Sequence, residues 1–79
     1  MNGIVGQVIL FAGSRTPLGW FVCTGQEMQI SQYPALFSIV GTIYGGDGIH
    51  TFALPKLTCA EDPALKYLIC YQGEYPQFY

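Results

Sequence analysis

Asp47 and His50 are the two residues best placed to do chemistry. They stand three apart in Tyr44-Gly45-Gly46-Asp47-Gly48-Ile49-His50-Thr51, where the chain's one histidine follows its densest run of glycines. A carboxylate and an imidazole at this spacing could pass a proton. No serine or third group completes a nucleophilic triad by sequence logic, so an acid/base or acyl-transfer enzyme is not expected.

Glycines around an aspartate could also form a backbone nest for an anion, or a loop for a metal. The segment lacks the Lys and Ser/Thr of a phosphate loop and the several oxygen ligands of a calcium loop. The simpler reading is conformational: Gly45, Gly46 and Gly48 permit a sharp reversal, and Asp47 bonds to its local backbone. A single histidine beside Thr51 makes no metal site within one chain, and no metal or other cofactor is expected.

Three cysteines, Cys23, Cys59 and Cys70, cannot all pair within one chain, and none lies in a metal-ligand spacing. They read as free thiols behaving as small hydrophobes. A Cys23 to Cys70 contact between neighbouring strands stays open at this level.

The elements that must position these residues belong to one domain spanning residues 1–79, near the size where a single core barely suffices and self-association often helps. The chain is 51% hydrophobic and 10% charged, against about 25% charged in an average domain. Part of its surface must therefore be apolar or aromatic, which favours a partner surface. A net charge of −2 with no cluster of either sign argues against nucleic acid and membrane surfaces. The amino terminus has no positive region, and the apolar run from Val8 to Ala12 is too short for a signal segment or a span. Synthesis in a bacterial cytoplasm without a signal peptide is the expectation.

Ile4 to Ala12 reads as a strand buried on both faces, followed by a turn through Ser14, Thr16, Pro17 and Gly19. Trp20 to Thr24 forms the next strand, with Trp20, Val22 and Thr24 on one face and Phe21 and Cys23 on the other. A short strand over Glu27 to Ile30 leads into a helix over about residues 31–41. Ser31 is its expected N-cap, Pro34 falls in its first turn, and Gly41 closes it in a left-handed conformation. Leu36 and Val40 should be its most buried residues.

Thr51 to Leu54 is a strand stopped by Pro55, and a polar connection leads to a final strand over Lys66 to Gln72. Tyr67, Ile69 and Tyr71 share one face of it, Leu68 and Cys70 the other. The fold class is α+β, a small mixed or antiparallel sheet with one short helix packed on it. The aromatic tail, Glu74 to Tyr79, should pack on the domain or on a neighbouring subunit. Candidate binding residues are Trp20, Tyr44, Asp47, His50, Tyr71, Tyr75 and Tyr79, although Trp20 reads first as a core or interface anchor and only second as a ligand platform.

The string from Phe11 to Leu57 resembles the phage tail collar domain family, which includes bacterial proteins described as microcystin-dependent. The matching residues are Phe11-Ala12-Gly13, Pro17-Leu18-Gly19-Trp20, Cys23, Gly25-Gln26, the run from Ile30 to Gly48 and Thr51-Phe52-Ala53-Leu54-Pro55. Residues 65–76 resemble the family's closing strand. Between Thr58 and Leu65, only about eight residues replace the long variable region that members usually carry. This is a minimal form without the insertion most suited to receptor specificity.

The resemblance implies a non-enzymatic structural and adhesion module of a phage tail or tail-like fibre, located in a virion or an extracellular tail-like particle. A homo-oligomer is implied, a trimer above all, attached to a fibre or baseplate protein. In short tail fibres with this domain, a His-x-His arrangement from three chains can bind metal at the axis. Ile49-His50-Thr51 offers only half of that arrangement, so no metal is carried over. The alternatives are a module that binds a host surface glycan, a host surface protein or a small ligand through exposed tyrosines, and a phage-encoded inhibitor or accessory factor.

Overall fold

Alternating and β-branched residues place five short strands along the chain: β1 (Val8–Phe11), β2 (Trp20–Val22), β3 (Glu27–Gln29), β4 (Thr51–Ala53) and β5 (Lys66–Cys70). Among the described residues there is one helix, α1 (Pro34–Val40), between β3 and β4. The computed structural model describes residues 3–78.

The strands divide into two antiparallel sheets, β1-β5-β2 and the pair β3-β4. The class is the α+β arrangement expected, with all strand pairings antiparallel. Among the described residues, no helix is long and apolar enough to cross a membrane.

The last strand occupies the centre of the larger sheet, with Val8 opposite Ile69 on one side and Phe21 opposite Ile69 on the other. Its alternation runs as the sequence indicates. Ile69, with Tyr67 and Tyr71 packed around it, belongs to a core shared with Cys23, Leu36, Val40, Phe52 and Leu54. Leu68 and Cys70 join Trp20 in a second cluster on the opposite face, flanked by Ile9, Phe11 and Val22. The helix therefore covers the Phe21 and Cys23 face. Cys23 and Cys70 lie in different clusters on opposite faces, so a Cys23 to Cys70 contact does not form, and all three cysteines are free.

Because β5 takes the middle, β1 is an edge strand and is not buried on both faces. Val8 is 40% and Leu10 47% exposed. The chain enters β1 through a tight turn in which the Gln7 amide donates to the Ile4 carbonyl at 2.8 Å, with Gly6 at φ +89°. Gly6 donates to the Cys70 carbonyl while Cys70 donates to the Gln7 carbonyl, so two residues oppose one in a glycine bulge.

The helix starts later than the sequence suggests. Its N-cap is Tyr33, at φ −133° and ψ 55°, and no side chain caps it; Ser31 lies in the preceding turn. Pro34 explains the shift, since a residue before proline is driven away from helical backbone, and Tyr33 cannot continue a helix begun at Ser31. Leu36 and Val40 are its buried residues, as their spacing requires. Gly41 ends the helix by donating to the Phe37 carbonyl at 2.7 Å. Its φ is positive, but ψ of −143° places it outside the left-handed helical region, in backbone space open almost only to glycine.

The aromatic tail is held at its start. Val5 donates to the Glu74 carbonyl, Glu74 donates to the Gly3 carbonyl, and the Tyr75 hydroxyl lies 2.6 Å from Ser38 Oγ on the helix. Phe78 is exposed.

Candidate functional site

The loop from Gly45 to Thr51 is built by its glycines and closed by Asp47. Gly45, Gly46 and Gly48 all adopt positive φ. Gly46 has no room for a side chain: a methyl group there would lie 2.6 Å from the Thr51 carbonyl oxygen and press on Phe52. Asp47 Oδ1 accepts the amides of Ile49, His50 and Thr51 at 2.8, 2.7 and 2.9 Å. The Asp47 amide donates to Thr51 Oγ1 at 3.2 Å.

Those contacts settle what the carboxylate can do. The Thr51, His50 and Ile49 amides, in that order, hold the Asp47 carboxyl well below the usual carboxylate range, with the nearby His50 ring adding less. Asp47 is a staple for its own loop and a poor proton acceptor. His50 Nδ1 stands 3.8 Å from Asp47 Oδ2 with its side chain 84% exposed. Their spacing brings the pair together, but in open solvent.

His50 and Ile49 do border a shallow concavity of about 390 Å³, whose other walls are Gln29, Ile30, Ser31 and Thr51. The remaining candidates are scattered. Trp20 is 4% exposed in the second core cluster and offers no face to a ligand. Its indole N–H has no partner among the described residues. Tyr44 is exposed on the segment before the glycine loop. Tyr71 stacks on Phe21 with centroids 4.1 Å apart, and Tyr33 meets both rings edge-on. One face of Tyr71 is therefore occupied, and the ring borders a separate hollow with Gln32, Pro34 and Ala35. Tyr75 is tied to Ser38. Tyr79 lies outside the described residues.

Burial pushes the Cys23 thiol up to about 11, which keeps it protonated and unreactive. Among the described residues, no group of three or more His, Cys, Asp or Glu side chains could hold a metal ion.

Sequence reasoning missed two positioning residues. Tyr33 completes the aromatic cluster, a role that its place before Pro34 could have signalled. Gln26 is the other: its Oε1 accepts from the Thr24 amide at 3.0 Å and hydroxyl at 2.7 Å, while its Nε2 donates to the Val22 carbonyl at 2.8 Å. Gly25 at φ +79° makes the turn that lets the side chain fold back.

The site is thus a set of tight, self-bonded turns with apolar and aromatic residues at their rims. Comparison with known protein families agrees with that character: the model of the Phage Tail Collar Domain matches residues 6–61. The chain belongs to the phage tail collar domain family. The matched span runs from the Gly6 bulge through β4 and into the short connection before β5, and so takes in Gln26, α1 and the glycine loop. Collar domains are structural tail-fibre domains. The role is accordingly a structural one in a phage tail fibre, as a virion-associated component. No curated protein matches the chain.

Proposed function

We propose that this collar domain acts without turnover, as an assembling module that joins copies of itself and docks on fibre or baseplate proteins of a phage tail or tail-like particle. The observation that carries this reading is the balance of its surface. Leu10, Leu18, Ile43, Ile49 and Phe78 are all exposed in a chain with only 10% charged residues. Exposed apolar side chains on that scale are the material of protein contacts. The chemistry that would favour an enzyme is consumed locally, Asp47 by its loop and Cys23 by the core.

The concavity beside His50 favours a second reading, recognition of a host glycan, because it combines an imidazole with the Gln29, Ser31 and Thr51 side chains. Light scattering together with a glycan array separates the two. The assembly reading expects a mass above that of one chain and no glycan binding. A monomer with saturable glycan binding would replace it.

A further inference from the structure

We propose that β1 pairs antiparallel with β1 of a second copy of this chain, across a twofold axis beside Ile9, joining two three-stranded sheets into one of six strands. The inference rests on the assembly reading above and names a surface for self-assembly, giving a twofold pair where the family resemblance implies a trimer.

The argument begins with the direction of the backbone groups. In an antiparallel ladder, each residue directs its N–H and C=O to one side only, and the side alternates. Cys70 exchanges hydrogen bonds with Gly6 and Gln7 on the β1 side, whereas Tyr71 donates to Gly19 and Cys23 donates to Tyr67 on the β2 side. Ile69 and Tyr67 therefore turn their backbone towards β2. Val8 and Leu10 lie opposite them, so their own N–H and C=O groups point away from the sheet along its free edge.

No hydrogen bond among the described residues takes up those outward groups. The same two residues carry side chains 40% and 47% exposed. Proteins blunt such edges with lysine, proline or an inward charge, and Val8-Ile9-Leu10-Phe11 contains none of these. The bulge at Gly6 lies before the strand, and Val8 to Phe11 keep an unbroken register with β5.

The occupant follows from self-complementarity. With Ile9 beside the axis, Val8 of one copy faces Leu10 of the other, and the reverse. The two outward pairs then exchange about four backbone hydrogen bonds. Val8 and Leu10 side chains from the two copies meet on one face, and no charge opposes a like charge. Open-ended stacking is disfavoured because the opposite edge is short and partly closed: Gln26 Nε2 occupies the Val22 carbonyl, and Thr24 turns away to pair with Lys56. An edge that fits itself, set against an opposite edge that is short and capped at Val22, favours a closed, isologous pair.

The test is amide exchange by NMR on the unmodified chain, with mass by light scattering for the chain, Leu10→Pro and Val8→Lys. Leu10→Pro removes an outward N–H that β5 does not use. Pairing predicts an even-numbered assembly whose Val8 and Leu10 amides exchange at least about 100-fold more slowly than an unpaired edge, and variants that fall to monomers with unchanged circular dichroism. An assembly whose Val8 and Leu10 amides exchange freely, and whose mass survives Val8→Lys, overturns the edge pairing and leaves assembly through another surface. A monomer at every concentration overturns both. If Leu10→Pro does not fold, Val8→Lys and the exchange rates of the unmodified chain decide.

Discussion

Gln26 closes the end of β2 by donating to the Val22 carbonyl at 2.8 Å. The same side chain accepts two bonds from Thr24, so one residue satisfies three polar groups where the strand ends. The two edges of the larger sheet are thereby made unequal, one capped at Val22 and one uncapped.

Gln26→Ala should lower stability by about 1 kcal/mol, the cost of leaving the half-buried Val22 carbonyl unpaired while the exposed Thr24 groups turn to water. Denaturant unfolding reads this directly. An unchanged midpoint would mean that water replaces the side chain without loss.

Gly46→Val should be the most damaging substitution in the loop, costing about 2–4 kcal/mol, because positive φ and the contacts with Thr51 and Phe52 both forbid a side chain. Gly48→Ala meets only the Thr42 methyl at 3.1 Å, and its loss should be nearer about 1 kcal/mol. Melting temperatures in that order support the packed turn; equal values would contradict it.

Asp47 should give the loop an acid dependence. Its carboxyl is held low in the folded chain by the Thr51, His50 and Ile49 amides and returns to the ordinary value of about 3.9 on unfolding. Its contribution is therefore complete above about pH 4 and is lost as pH falls towards its folded value. The gap in melting temperature between the chain and Asp47→Asn should be widest above about pH 5 and narrow below about pH 4. A gap that grows on acidification would reverse the sign.

Thiol labelling should separate the cysteines. Cys23 and Cys70 are buried, and burial raises the Cys23 thiol to about 11, so at neutral pH the half-exposed Cys59 should react first. Cys23 and Cys70 should label only with unfolding. A disulfide between those two under oxidant would contradict their placement on opposite faces.

Much of this fold is legible in the sequence because its signals are local. The alternation in Tyr67-Leu68-Ile69-Cys70-Tyr71 assigns both faces of β5, and the spacing of Leu36 and Val40 finds the buried side of the helix. Strand order is a long-range property that no local pattern encodes. The insertion of β5 between β1 and β2 is what turns the apolar run Val8 to Phe11 from an expected buried strand into an edge. The Ser31 cap fails for a competing local reason, the restriction that Pro34 places on Tyr33. At the candidate site, the sequence indicates the conformational role of Gly45, Gly46, Gly48 and Asp47. It does not show that Tyr71 is already stacked on Phe21 or that Trp20 is enclosed, since both depend on what the tertiary fold brings alongside.

The central claim, a collar domain that works as an assembled part of a tail, is tested most directly by its location. Purified tail or tail-like particles from the source that encodes it should contain the chain, cross-linked to itself and to a fibre or baseplate protein, when digested and read by mass spectrometry. Its absence from intact particles, with the chain recovered only as free protein, would contradict the account.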